Sequence, residues 1–408
     1  MIALRSPSFR WLLASSVAAS LCAGMQLTAI GWLALSASGG ALTVGVVLAA
    51  RSLPNLLFGL ASGTLADHTV RQQLLVRVRL FALLPPLGLT WLAWVAPDSA
   101  WLLVLLSFAT GAAMVFETPT RQALVLDTTP PEVGANAMAL NATVTRGCTA
   151  LGALAAGAVI PAVGVPACFL AIAVICAIAA ALAVPVKPER STHATAAATR
   201  PRFRQAMTEA ARLVVDFPEV RVLVLAAVAC EIFGFSYMTA VPVFARDVLG
   251  AGAEGLGTLN AAASAGGAAA VVVLSVVPGR VPRQPILGLV FLAYGVSLLA
   301  LAPTSTLPMA TGALVVIGAC AASFDVLQQT LMQFAVPEHQ RGRAVGLWVL
   351  GIGSAPIGNL EMGALITWIG APAALAINGA LVLMAVAILA LAAPAYRGVR
   401  VRSTVPTT

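Results

Sequence analysis

The sequence predicts an all-α integral membrane protein. Twelve transmembrane helices should form two pseudo-symmetric six-helix bundles joined by a polar linker. Three observations carry this prediction. Of 408 residues, 60% are apolar and only 9% are Asp, Glu, Lys or Arg, where soluble domains carry about a quarter charged residues. The apolar residues fall into runs near the ~20 residues that a bilayer-spanning helix needs. The two halves of the chain also repeat one pattern. With a mean hydropathy of +0.96, there is too little charge to cover the apolar surface of a water-soluble fold. A soluble enzyme, a disordered chain and a disulfide scaffold are thereby excluded.

In chain order the predicted spans are 10–36, 41–66, 73–96, 99–120, 136–161 and 165–185, then 219–243, 255–277, 284–303, 308–334, 342–369 and 372–393. The first run follows Arg5 and Arg10, as a secretory leader would. From Trp11 to Leu35 it is too long for a leader's apolar core of about 7–15 residues, and further spans follow at once, so it is read as retained. Gly and Pro inside the runs are compatible with membrane helices. The Ala and Gly abundance suits close helix packing. Trp91, Trp94 and Trp101 read as anchors at the membrane interface.

Val186 to Pro218 is the one sizeable polar segment. It divides the chain into an N-terminal bundle (1–185), a cytoplasmic linker (186–218), a C-terminal bundle (219–393) and a cytoplasmic tail (394–408). Within the linker, Phe203 to Phe217 is expected to form a short amphipathic helix, with Arg202, Arg204 and Arg212 toward lipid headgroups.

The net charge of +8 reads as topology rather than nucleic-acid binding. With the N-terminus placed in the cytoplasm, 20 of the 23 Lys and Arg residues fall inside. Arg246 falls outside, and Arg51 and Arg146 lie in spans. Lys and Arg concentrate in cytoplasmic loops, so the orientation is twelve spans with both termini inside. The six cysteines lie in apolar runs without metal-type spacing, and His68, His193 and His339 lie in separate loops. No metal and no cofactor is expected.

The internal repeat is visible where Phe116-Glu117 leads to Pro130-Pro131-Glu132, and Phe324-Asp325 leads to Pro337-Glu338, about 208 residues further on. Gln122-Ala123-Leu124 is loosely echoed by Gln329-Thr330-Leu331. Parallel repeats of six spans occur in secondary transporters.

Between spans 2 and 3 the chain reads Gly63-Thr64-Leu65-Ala66-Asp67-His68-Thr69-Val70-Arg71. This resembles the cytoplasmic loop signature of the major facilitator superfamily. Gly63 permits close helix approach, Asp67 can cap a helix N-terminus, and Arg71 can pair with a carboxylate across the two halves. The ordinary alternative is a polar turn with an inward-facing arginine. Further stretches are similar to the bacterial drug and siderophore exporter branch, which includes enterobactin-type exporters. They are Gln26–Pro54, Pro119–Leu124, Pro242–Gly257 and Pro337–Gly346. The resemblance implies proton-driven efflux of a small molecule by alternating access. Three features depart from it. His68, Thr69 and Gln72 thin the loop's charge, the second-half loop Pro278–Gln284 keeps only Arg280 and Arg283, and span 5 has Gly152-Ala153 without the antiporters' Gly-Pro pair.

A charge inside a span costs about 2.5–3.5 kcal/mol on insertion scales, so each calls for a reason. Glu231, mid-span 7, is the leading candidate for a cavity carboxylate that takes a proton or meets a cationic group. The alternative is a Glu hydrogen-bonded between helices. Arg51 either binds an anion or neutralises a carboxylate. Glu361, beside Asn359, is a further cavity candidate. Tyr237, with Phe233 and Phe235, either lines a pocket for an amphiphile or packs in the core. Glu117 and Asp325, toward the cytoplasmic ends of spans 4 and 10, suggest gate pairs with Arg121, Arg343 or the Asp67 loop. Arg146 is read as snorkelling to the inner surface. No phosphate-binding loop and no nucleophile–base pair stands out, so an ATP-driven pump and an enzyme are both disfavoured. The expected partners are a small-molecule substrate, protons and membrane lipids, without nucleic acid, and the protein is expected to be a monomer. The rival readings are an importer or lipid permease of the same fold, or a non-transporting membrane sensor.

Overall fold

A computed structural model describes residues 2–36, 40–188, 212–276, 283–337 and 340–392. Most of the linker expectation and all of the tail expectation lie outside the described residues. Of the proposed linker helix only 212–216 is described, and it is helical.

Twelve helices are long and apolar enough to cross a membrane. In the first half they are α1 (Pro7–Ser36), α2 (Gly40–His68), α3 (Arg71–Val95), α4 (Ala100–Asp127), α5 (Gly134–Val163) and α6 (Val165–Ala183). In the second they are α7 (Pro218–Val248), α8 (Gly252–Val276), α9 (Arg283–Leu301), α10 (Leu307–Phe334), α11 (Arg343–Ile369) and α12 (Ala371–Ala392). The protein is a multi-pass membrane protein. Each span matches its predicted counterpart. Consecutive helices alternate in direction, so α1 begins, and α12 ends, at one end of the bundle, called here the near face; the other end is the far face.

Three spans are less regular than the apolar runs suggested. α3 is interrupted at Ala82-Leu83, just before Pro85-Pro86, where proline removes backbone donors and clashes with the preceding turn. α11 breaks at Gly353-Ser354, ahead of Pro356. α7 carries two π-turns, Cys230–Gly234 and Phe244–Val248. Such bulges occur frequently at functional sites, and Glu231 sits in the first.

The repeat is structural as well as sequential. α5 ends at Gly164 with φ of 89°, and α11 ends at Gly370 with φ of 83°. In each case the next helix starts with a proline at its second position, Pro166 or Pro372. Glycine takes the left-handed φ that stops one helix, and proline suits the first turn of the next. Likewise Gly111 of α4 packs on the Arg51 carbonyl of α2, and Gly318 of α10 packs on the Ala263 carbonyl of α8.

The two halves meet mainly toward the far face. A Cβ added to Gly45 of α2 would lie 2.6 Å from the Asn359 carbonyl oxygen of α11. One added to Gly157 of α5 would lie 3.0 Å from the Gly257 Cα of α8. Small residues let these backbones touch, as membrane helix packing requires. Hydrogen bonds reinforce the seam. Arg246 Nη1 donates to the Leu35 carbonyl at 2.9 Å, Asn260 Nδ2 to Thr28 Oγ1 at 3.1 Å, and Asn359 Nδ2 to Ser52 Oγ at 3.2 Å.

Candidate functional site

The first half contains a cavity of about 220 Å³ walled by α1, α3, α4, α5 and α6. At a rise of ~1.5 Å per residue its lining runs from mid-bundle, at Gln26 and Thr110, toward the near face, at Arg121 and Ala179. Part of the wall is small and apolar, including Ala19, Ala23, Ala82 and Ala113. The rest is charged, with Arg79, Arg121 and Arg146 against one carboxylate, Glu117.

Arg79 is 2% exposed. Its Nη2 donates to Glu117 Oε1 at 3.1 Å, and its Nη1 donates to the Ala179 carbonyl of α6 at 3.2 Å. The sequence reading counts Arg79 among the loop cations, whereas the fold buries it eight residues into α3. The signal was present in the predicted span 73–96, which already encloses it. Arg121 and Arg146 form no hydrogen bond or ion pair among the described residues. Gln26, also buried, has no hydrogen-bond partner among them either. The hydroxyls of Thr110, Thr118, Thr145 and Thr149 all donate back to carbonyls of their own helices.

Across the seam a second group assembles. Asp325 of α10 lies close enough to act electrostatically on Glu231 and Tyr237 of α7, and Arg146 of α5 acts on Asp325 and Tyr237. Glu231 is half-buried in its π-turn and has no hydrogen bond or ion pair among the described residues. Tyr237 is buried. Arg146 reaches over to Gly267 of α8, where its Nη1 would lie 3.2 Å from an added Cβ. The snorkelling expected of it is thus not the geometry found.

The other sequence candidates scatter. Arg51 is half-buried, and its Nη2 contacts Met114 Sδ on the cavity wall at 3.2 Å. Its Nε is buried without a partner among the described residues, so no carboxylate neutralises it there. Glu361 accepts from Asn378 Nδ2 at 3.0 Å, and that group also donates to Ser236 Oγ at 2.9 Å. Glu361 therefore belongs to a polar network among α7, α11 and α12. Phe235 and Tyr294 meet edge to face at 5.9 Å. Near the near face, Arg71 pairs with Asp127 of its own half, Nη1 to Oδ2 2.9 Å. Gly63 has open space around it. Asp67 lies in α2, but its side chain is outside the described residues. Arg343, in the first turn of α11, is exposed.

A protein-family model described as transmembrane secretion effector, of the major facilitator superfamily, matches residues 1–401. The chain belongs to that family. Within the curated proteins this family member is similar to the staphyloferrin A transporter of Staphylococcus aureus (strain NCTC 8325 / PS 47). Identity is 23% over 335 residues, covering 82% of this chain and 83% of that one. Among solved structures it resembles the nucleoside transporter NupG, with a TM-score of 0.76 and 12% identity over 95% of this chain and 99% of that one. It also resembles the peptide transporter POT, with a TM-score of 0.72 and 14% identity over 95% and 94%. At such identities the structural likeness establishes the fold, twelve helices of the major facilitator type. The family and these relatives are transporters, not enzymes.

Proposed function

We propose that this transporter exports a small amphiphilic compound, siderophore-like or drug-like, across the bacterial inner membrane by alternating access, in exchange for protons. The observation that carries the reading is the asymmetry between the two faces. The halves are tied at the far face by Gly45, Gly157, Arg246, Asn260 and Asn359. The cavity, part apolar and part charged, lies in the middle and near half of the bundle. Such an arrangement suits a state that loads from the near face. The positive-inside pattern makes that face the cytoplasm, with both termini there. The staphyloferrin A transporter supports the siderophore-like side of the reading.

In this mechanism the monomer's two halves rock about the cavity. Glu231 takes and releases the proton, with Asp325 setting its field and Arg146 acting in turn on Asp325. Tyr237, Arg51 and Glu361 flank the substrate path. Gly63 and Asp67 at the end of α2 and Arg71 at the start of α3, with Glu117, Arg121, Asp325 and Arg343, secure the near face when it closes. An importer would share this geometry, so direction rests on the resemblance to exporters.

The test uses everted membrane vesicles containing the protein. A proton gradient is imposed, and fluorescent cationic drugs, macrolides and siderophores are offered. Uptake that collapses with an uncoupler, and is lost in a correctly inserted Glu231→Gln variant, is the expected result. Uptake that survives the uncoupler, or accumulation only in right-side-out vesicles, overturns proton-coupled export.

A further inference from the structure

From the electrostatics of the cavity we infer that it is a subsite for the anionic end of the substrate, a carboxylate or comparable oxyanion. The inference rests on the transport reading above and names the chemistry of what is carried. Three guanidinium groups and one carboxylate line the space. Glu117 is already engaged by Arg79, which leaves Arg121 and Arg146 as a formal excess of two positive charges. Neither has a hydrogen-bond or ion-pair partner among the described residues. Asp325 acts on Arg146 only through space, beyond ion-pair distance. Arg51, also without a carboxylate, stands behind Met114 in the same wall.

Hydrogen-bonding capacity points the same way as charge. Each guanidinium offers donors and no acceptor. The Gln26 amide adds two donors and one acceptor oxygen, and the four threonine hydroxyls, having donated to their own helices, keep only acceptor capacity. The donors without an acceptor of their own are the guanidinium N–H groups of Arg121 and Arg146, and an acceptor-rich anion satisfies them. Guanidinium binds carboxylate through paired, charge-assisted hydrogen bonds. A cationic head would meet repulsion and find its only carboxylate occupied. The volume of about 220 Å³ is below the ~300–1,000 Å³ of drug-sized pockets. It therefore seats one polar end, with the Ala-rich wall taking the start of an apolar body.

The experiment uses full-length protein in detergent micelles and three probes sharing one fluorophore: dansyl-glutamate, its dimethyl ester, and dansyl-cadaverine. These present a dianion, a neutral molecule and a cation. The expected result is that dansyl-glutamate binds at least ten-fold more tightly than either of the others. Arg121→Gln with Arg146→Gln should remove that preference, and Arg121→Lys with Arg146→Lys should restore much of it. If the double Gln variant fails to elute as a monodisperse peak, Gln26→Leu and the single Arg121→Gln replace it, each expected to weaken the dianion several-fold while leaving the ester unchanged. Equal affinity for the three probes, a preference for the cation, a preference that survives the Gln variants, or no binding by well-folded protein overturns the anion subsite. The transport reading fails separately: dansyl-glutamate that binds, while no compound of any charge moves in vesicles, removes transport and leaves the subsite.

Discussion

Glu117 and Asp325 stand 208 residues apart at matching places on α4 and α10, and the molecule treats them differently. Glu117 is held by Arg79, a cation 2% exposed that also ties α3 to α6 through the Ala179 carbonyl. Asp325 has no ion pair among the described residues; it feels the field of Arg146 and acts in turn on Glu231 and Tyr237. One half has turned the repeat's carboxylate into a structural brace. The other keeps it free beside a π-turn. Symmetric folding thus leaves room for asymmetric chemistry. The first half presents cations to the cavity, and the second presents carboxylates across the seam.

The largest effect expected from breaking this comparison is on stability. Arg79→Leu removes Glu117's ion pair, leaving it the through-space field of Arg121, and removes the α3–α6 tie. Breaking a buried pair by deleting one partner costs about 3–5 kcal/mol. Asp325→Asn removes a charge that has no paired partner, so its cost should stay below about 1 kcal/mol. Thermal unfolding of the detergent-solubilised protein measures both. Similar losses for the two variants would mean that Asp325 is braced as firmly as Glu117.

Next in size is the far-face seam. Gly157→Leu forces side-chain atoms onto Gly257 and Ala253. Overpacking costs about 1–3 kcal/mol, and here it falls on the closed far face. A single cysteine at Thr28, in a cysteine-free background, should react several-fold faster with an impermeant maleimide. Gly288→Leu serves as the control, because nothing lies within 4 Å of a Cβ there. Unchanged labelling in Gly157→Leu would show that the α5–α8 contact does not hold that face shut.

Much of this was legible in the sequence, for physical reasons. Span count, span order and the two-half division follow from apolar runs, because a bilayer demands length and hydropathy of every crossing. The repeat was visible at Phe116-Glu117 and Phe324-Asp325. Its clearest echo, Gly164-Val165-Pro166 against Gly370-Ala371-Pro372, was there to be found as a helix-stop and helix-start signal. The candidate site was legible only as a list of intramembrane charges. Which of them pair depends on helix rotation and on which helices are neighbours, and apolar runs encode neither. Apolar runs therefore leave Arg79 among the loop cations, and they give no sign that Arg71 meets Asp127 of its own half. The π-turn under Glu231 had no sequence signal that periodicity could catch. No proline or glycine break precedes it within the turn.

A smaller effect should come from Asn359, which accepts from Thr239 Oγ1 at 2.9 Å and donates to Ser52 across the seam. Asn359→Ala should weaken the far-face closure by about 1 kcal/mol, the net value of a typical hydrogen bond. That corresponds to about a five-fold rise in the population open at that face, read by the same maleimide assay. A rise matching that of Gly157→Leu would make hydrogen bonding, rather than close backbone packing, the main fastener.

The smallest stability change is expected at the near face, where the comparison of halves returns. Arg71 pairs with Asp127 at the end of α4, with side chains 21% and 10% exposed. The matching end of α10 carries Phe334 instead, and Arg341 sits 5.9 Å from its ring centroid. A partly exposed ion pair contributes about 1 kcal/mol or less, so Arg71→Gln should scarcely move the unfolding temperature. If the α2–α3 loop secures the near face during transport, the same variant should slow turnover several-fold, because a gate needs only a small bias between two states to change its rate. Arg341→Gln, beside the Phe334 ring of the second half, should slow it less. Transport rates in vesicles, beside unfolding temperatures, separate the two roles. A variant at Arg71 that unfolds early but turns over normally makes the pair a brace like Arg79–Glu117, and the contrast between halves then lies wholly within the cavity.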